Sequence, residues 1–264
     1  MRFSRLKTFY TLVANKTLTF SRFINIAKVE LSAKFGKTKL MGYPYTLIIE
    51  PTNICNLKCP TCPTGCGKLT RPKGMMPFKT FKKVIDELSP HILYVILMNY
   101  GEPLLNNDFY EMVKYASSKH LRTFTCTNGQ FINAKKIVDS GLDEIAISLD
   151  AVDQKTLAKF RKNSDIIKVI NGIKALVAEK ARQNSKKPTI NLQFILMKHN
   201  ERQLDEFKKL ANSLGVDSIS IKALWATDVS NLKKFMPSNK EFQRYIIKGN
   251  DFESKAKALP CRKP

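Results

Sequence analysis

The chain has 264 residues, 43% of them hydrophobic, with 45 lysines and arginines against 22 acids and a net charge of +23. That apolar content excludes a disordered chain and suffices for one large α/β domain or two small ones. No run of about 18 apolar residues is present, and charges interrupt the N-terminus where a secretory signal would need an apolar core, so a cytoplasmic location is expected.

Residues 1–44 read as a basic helical arm and linker. Its first 40 residues hold nine Lys or Arg and a single acid, Glu30. Phe3, Leu6, Phe9/Tyr10 and Val13 recur at helical spacing, as do Phe20, Phe23/Ile24, Ala27, Leu31 and Phe35, which predicts two basic amphipathic helices. Such helices can lie peripherally in an anionic membrane interface. The preferred expectation is the other one: their apolar faces pack on the domain behind and the lysines face water. The excess charge fits an anionic partner, and equally the lysine bias of an AT-rich genome.

From residue 45 to 225, strand and helix alternate. Strands are predicted at 47–49, 94–98, 123–127, 144–149, 189–196 and 218–222. Helices are predicted at 77–88, 108–118, 134–140, 154–161, 166–180 and 201–214. Near-continuous apolar strands alternating with helices imply a parallel sheet covered by helices. Right-handed crossovers build such a sheet into an open doubly wound form or a barrel. Residues 226–264 form a weaker C-terminal segment, with 225–234 loop-like, 239–247 a short helix, and an irregular basic end.

The stretch Glu50-Pro51-Thr52-Asn53-Ile54-Cys55-Asn56-Leu57-Lys58-Cys59-Pro60-Thr61-Cys62-Pro63 follows the first strand. Pro60 and Pro63 rule out a helix interior, and the asparagines favour turns. A tight loop of this kind can point three sulfurs at one centre. Four of the six cysteines, counting Cys66, lie within twelve residues. That clustering reads as a metal site in a reducing compartment rather than a disulfide framework. With Cys66 as a fourth ligand, the loop would be a closed, non-catalytic zinc or iron–sulfur module. With three thiolates, it suits a 4Fe–4S cluster that keeps one iron open.

Other strand ends carry polar groups. Gly101-Glu102-Pro103 follows the second strand and Asn128-Gly129 the third. Ser148 and Asp150 end the fourth, and Gln193 interrupts the apolar fifth. Chemistry gathers past the C-terminal strand ends in such sheets, so these groups and the thiols are expected on one rim.

Cys55-x3-Cys59-x2-Cys62 after a first strand, with Gly101-Glu102-Pro103 after the second, resembles the radical S-adenosylmethionine (radical SAM) superfamily over roughly residues 45–222. One position departs from the family pattern: Thr61 stands where an aromatic residue often precedes the last cysteine. The resemblance implies a partial (βα)6 barrel, with a 4Fe–4S cluster on Cys55, Cys59 and Cys62 and S-adenosylmethionine chelated at the open iron. It implies a cofactor contact for Gly101, Glu102 and Pro103, with Glu102 suited to the amino group. Asn128, Ser148, Asp150 and Gln193 fall at its polar contacts, and Arg161 could pair with the cofactor carboxylate or lie on a helix surface. The implied reaction is reductive cleavage to a 5′-deoxyadenosyl radical that abstracts a substrate hydrogen. A flavodoxin or ferredoxin would supply the electron, and the substrate would be a peptide, a protein or another small molecule.

Thr70-Arg71-Pro72-Lys73-Gly74-Met75-Met76 and the run from Met236 to Tyr245 resemble the subgroup with a C-terminal cysteine-rich (SPASM) extension. Cys261 matches its first ligand. The extension is either shortened or absent here, and no auxiliary cluster is expected from one thiol. Cys66 and Cys126 are expected to be bystanders. A nucleic-acid-binding protein is the remaining alternative, and it lacks support: the basic residues are scattered, without interleaved aromatics or a recognisable binding signature.

Overall fold

The structure, a computed structural model, describes residues 16–36, 38–226 and 228–255. The first predicted arm helix and Cys261 lie outside the described residues.

Six parallel strands pair in sequence order: β1 (Thr46–Ile49), β2 (Tyr94–Leu97), β3 (Arg122–Thr127), β4 (Glu144–Ser148), β5 (Thr189–Leu196) and β6 (Ser218–Ala223). The sheet does not close, because β1 and β6 remain edges. Of the open sheet and the barrel that the alternation left possible, the sequential strand order is that of the partial barrel implied by the radical SAM resemblance. Helices α2 (Phe78–Leu88), α3 (Phe109–Ser118), α4 (Ala134–Asp139), α5 (Gln154–Phe160), α6 (Ile166–Arg182) and α7 (Leu204–Ser213) connect the strands. Their starts are set by side chains: Asn133, Asp153 and Asp165 accept first-turn N–H groups of α4, α5 and α6. Phe81 and Ile85 of α2, Phe109 and Met112 of α3, and Phe207 of α7 are fully buried against Val95, Ile145, Ile147 and Phe194 of the sheet. Burying each such side chain contributes on the order of 2 kcal/mol, which is what holds helix to sheet.

The arm helix α1 (Phe20–Lys34) packs the opposite way from the expectation. Its buried side chains are Arg22, Asn25 and Ser32, while Phe20, Phe23, Ile24, Leu31 and Phe35 are exposed. Arg22 explains the reversal. Its guanidinium donates to the carbonyls of Thr17 (2.7 Å), Ser89 (2.9 Å), Lys119 (2.8 Å) and His120 (3.2 Å). Ser89 and Lys119 are the C-terminal caps of α2 and α3, where unpaired carbonyls and the helix dipoles favour a cation. Asn25 adds bonds to the carbonyls of Tyr43 (2.9 Å) and His91 (3.0 Å) and accepts from the Tyr43 N–H (2.8 Å). The helix is therefore held through polar groups, beneath the N-terminal ends of the strands.

The C-terminal segment also differs from the expectation. Residues 229–235 form helix α8 (Val229–Phe235), capped by Asp228 and burying Leu232 and Phe235. In place of a helix over 239–247 there is one 3-10 turn (Lys240–Phe242), then strand β7 (Tyr245–Lys248), which pairs antiparallel with β8 (Asp251–Ser254). This region shares a satellite core in which Tyr245, Leu232 and Phe235 meet Phe160, Met197 and Leu224.

Candidate active site

The three clustered cysteines lie on the loop past β1, which internal backbone bonds fold tightly. The Cys62 N–H donates to the Cys59 carbonyl (3.2 Å) and the Cys66 N–H to the Cys62 carbonyl (2.9 Å). The chain folds back so closely that a Cβ at Gly65 would lie 2.6 Å from the backbone N and O of Cys59. Residues 71–76 flank the loop's entry. Asn53 donates to the Pro72 carbonyl (2.7 Å) and accepts from the Gly74 N–H (2.8 Å), while Arg71 pairs with Glu50.

The end of β2 is locked to the same loop. The Glu102 N–H donates to the Ile54 carbonyl (2.8 Å), and the Tyr100 N–H to Glu50 Oε1 (2.9 Å). A Cβ at Gly101 would sit 1.8 Å from the Thr52 carbonyl oxygen, so only glycine permits this approach. The Glu102 carboxylate is 2% exposed. It accepts from the Thr127 hydroxyl (2.7 Å), the Asn128 N–H (2.7 Å) and the Leu104 N–H (3.2 Å). Burial pushes its pKa up, and these three bonds oppose the shift. Glu102 thus ties the end of β2 to the end of β3. From there, Asn128 Nδ2 donates to Asn56 Oδ1 (2.8 Å) and lies 3.8 Å from Cys55 Sγ.

These elements surround a cavity of about 530 Å³ at the C-terminal strand ends. Cys55, Cys59 and Cys62 line it, with Gly101, Glu102, Asn128, Ser148, Arg161 and Gln193. Strand register brings the side walls together: Ser148 stands opposite Gln193, and Ile195 opposite Lys222. Two predicted site residues do not line the cavity. Pro103 is buried at the start of the 3-10 turn Pro103–Leu105. Asp150 is buried behind the wall, where it pairs with Arg161 Nε (2.6 Å) and accepts the Ile195 N–H (2.7 Å). Arg161 is no helix-surface residue. Its side chain is 12% exposed, and it reaches the cavity from the C-terminal cap of α5.

Burial pushes the Cys59 thiol up to about 11, against the pull of the Arg161 cation. Cys55 is raised as well, chiefly by burial. Cys66 stands apart: it is exposed, its Sγ lies 3.8 Å from the Pro63 carbonyl, and it does not line the cavity. Among the described residues, no three Cys, His, Asp or Glu side chains converge tightly enough for a single ion.

Sequence reasoning missed part of the wall. Phe124, Cys126, Lys222 and Trp225 all face the cavity. Cys126 Sγ lies 3.5 Å from Ser148 Oγ. The signal was available: Cys126 lies two residues before Asn128 on β3, and alternation along a strand puts 124 and 126 on one face.

A family model described as the radical SAM superfamily matches residues 49–211. The chain belongs to the radical SAM superfamily. It is 29% identical over 175 residues to mycofactocin maturase MftC of Mycobacterium ulcerans (strain Agy99), covering 65% of this chain and 45% of that protein. Among solved structures, Streptococcus suis SuiB bound to S-adenosylmethionine superposes with a TM-score of 0.62 at 19% identity, covering 78% of this chain and 46% of that one. SuiB bound to precursor peptide SuiA gives 0.60 at 18% identity, covering 77% and 47%. These structures share the fold. The chain spans about half the length of such relatives.

The cofactors of the radical SAM superfamily are a 4Fe–4S cluster and S-adenosylmethionine, and the donor set fits them. Three soft sulfur donors on one loop line a single cavity with room beside them, the donor type an iron–sulfur cluster takes. The fourth cysteine faces away, so the closed four-thiolate module has no geometry here.

Proposed function

We propose that this chain is the catalytic barrel of a radical SAM enzyme, with Cys55, Cys59 and Cys62 as the cluster ligands. The observation that carries this reading is one cavity lined by the three thiols of the β1 loop and ringed by polar groups from β2 to β5. A 4Fe–4S cluster held there, once reduced by one electron, would supply the electron for reductive cleavage of S-adenosylmethionine to methionine and a 5′-deoxyadenosyl radical able to take a substrate hydrogen. The protein's part is to bind and orient. The Gly101–Glu102 backbone is held against the cysteine loop, where it presents polar groups to the cofactor's amino end. Asn128, Ser148 and Gln193 line the cavity from the neighbouring strands and would hold the ribose and carboxylate. Arg161 offers the guanidinium edge not engaged by Asp150 as a partner for the carboxylate. Asp150 and Pro103 act behind the wall, as positioning residues.

The substrate we assign is a peptide or protein segment. Phe124, Phe160, Leu224 and Trp225 give the outer cavity an apolar wall. Lys222 adds a cation that makes no ion pair among the described residues, which suits an acidic side chain or a carboxylate terminus. A maturase among the relatives, and a solved relative that holds a precursor peptide, support the same class. A flavodoxin or ferredoxin is the assigned reductant, and the cytoplasm the assigned compartment. No helix among the described residues is long and apolar enough to cross a membrane; peripheral contact is assigned to the basic arm. We divide the chain accordingly into arm (1–44), barrel (45–225) and C-terminal segment (226–264), the last resembling the lead into a SPASM extension.

The test is anaerobic reconstitution with iron and sulfide, then reduction with S-adenosylmethionine present. The reading predicts 5′-deoxyadenosine and methionine in equal amounts. A fully loaded cluster that gives neither would overturn it.

A further inference from the structure

Helix α1 is amphipathic in reverse. Its polar side chains Arg22, Asn25 and Ser32 are buried against the barrel. Phe20, Phe23, Ile24 and Leu31, at separations of three, four and seven residues, make one outward stripe with Phe35 just beyond the helix. Their exposures are 81%, 50%, 37%, 45% and 67%. Leu40, 54% exposed, follows on the chain returning beside the helix. So much aromatic and aliphatic surface on one helix face is the mark of an interaction site rather than of scattered surface residues.

The charges around the stripe say what covers it. Lys28 and Lys34 lie on α1, Lys39 lies on the returning chain, and the sole acid of residues 1–44 is Glu30, engaged by the Tyr45 hydroxyl at 3.1 Å. A second copy of the chain would bring these lysines against their like. An anionic lipid surface would instead take the phenylalanines below its headgroups and the lysines at them.

We propose that the outward face of α1 is a docking surface for an anionic phospholipid bilayer, on which the protein lies peripherally. The proposal sharpens the membrane contact assigned to the arm above by fixing the face, the orientation and the lipid charge. Arg22 anchors α1 to the carbonyls at the ends of α2 and α3, beneath the N-terminal strand ends, whereas the cysteine cavity opens at the C-terminal ends. The bound barrel would therefore stand with its mouth away from the lipid, open to a water-borne substrate and reductant.

Vesicle co-sedimentation of the reconstituted chain of residues 1–264 tests this, using phosphatidylcholine alone and an equimolar mixture with phosphatidylglycerol. Binding is expected to the anionic vesicles, to weaken with salt, and to fall about tenfold or more when Phe20, Phe23 and Phe35 are together replaced by serine. Lys28→Glu with Lys34→Glu should weaken it comparably. All these side chains lie outside the cavity, so S-adenosylmethionine cleavage should persist in each variant, which separates failure of this proposal from failure of the chemistry. Circular dichroism and retained iron would confirm that the variants fold. No binding to anionic vesicles would overturn the proposal, as would binding insensitive to the phenylalanine changes. Binding that appears only after removal of residues 1–15 would identify that segment as the cover. A concentration-dependent dimer, abolished by the same serines and with no lipid binding, would identify a second copy.

Discussion

Gly101 and Glu102 are where the site depends most on single atoms. The 1.8 Å that a Cβ at Gly101 would leave to the Thr52 oxygen cannot be relieved by a side-chain rotation, because the obstacle is backbone. Gly101→Ala is expected to cost about 3 kcal/mol of stability in denaturant unfolding, and to lower cluster loading because the cysteine loop must shift. The neighbouring thiols make a pH prediction. The metal-free fold holds the Cys59 proton up to about 11, from an ordinary value near 9. The folded pKa is raised, so the native state binds the proton more tightly than the unfolded chain does. This contribution to the metal-free fold is complete below pH 9 and is lost as pH rises to 11. Thermal unfolding of the metal-free chain across that window should show a falling midpoint, and Cys59→Ser should flatten the fall. With Cys59 as a ligand, as proposed, cluster assembly would displace the same proton, so loading should speed up with rising pH. Much of this residue-level picture was readable beforehand, since thiols and glycines at strand ends announce themselves by type and spacing. Asp150 was not: an acid at a strand end looks the same whether it faces the cavity or, as here, turns back to Arg161 and the Ile195 N–H.

At the scale of elements, the six strands and their helices were legible because β2, β4 and β5 are near-continuous apolar runs, β3 and β6 alternate polar and apolar residues, and the helices keep their 3.6-residue period. Two elements were not. The hairpin of β7 and β8 turns at Gly249, and Ile246 is exposed beside the buried Tyr245, so two four-residue strands show no clean alternation of apolar and polar residues. Helix α1 was visible as a helix, but its facing was not. A hydrophobic stripe says that a helix has two sides, not which one the protein uses. The deciding partners of Arg22 are carbonyls at the ends of α2 and α3, brought together only by the fold. Arg22→Ala should therefore release α1, leaving helix-end carbonyls with water alone and costing about 3 kcal/mol. Limited proteolysis should then cut within residues 20–45 much faster than in the parent chain. Arg22→Lys should rescue little, because one ammonium cannot span the four acceptors of the planar fork. Unchanged cleavage in Arg22→Ala would show that the apolar contacts of α1 hold it instead.

For the whole molecule, the open sheet concentrates its chemistry on one rim and its anchoring on the other. The loops and ends of strands β1 to β6 contribute to a single cavity, and helix α1 is anchored at the opposite end. The proposed ligand set is the central claim: of the four thiols that line the cavity, the three on the β1 loop, Cys55, Cys59 and Cys62, would hold the cluster and leave one iron for S-adenosylmethionine, while Cys126 stands on β3 beside Ser148 and Cys66 faces outward. Electron paramagnetic resonance of the reduced cluster tests this most directly, recorded with and without S-adenosylmethionine in the parent chain and in Cys66→Ala. The account predicts full iron in both proteins, near-complete loss of iron in Cys55→Ala, Cys59→Ala and Cys62→Ala, and a signal that changes on adding S-adenosylmethionine in both parent and Cys66→Ala. Loss of the cluster in Cys66→Ala, or a loaded cluster whose signal ignores the cofactor, would contradict it.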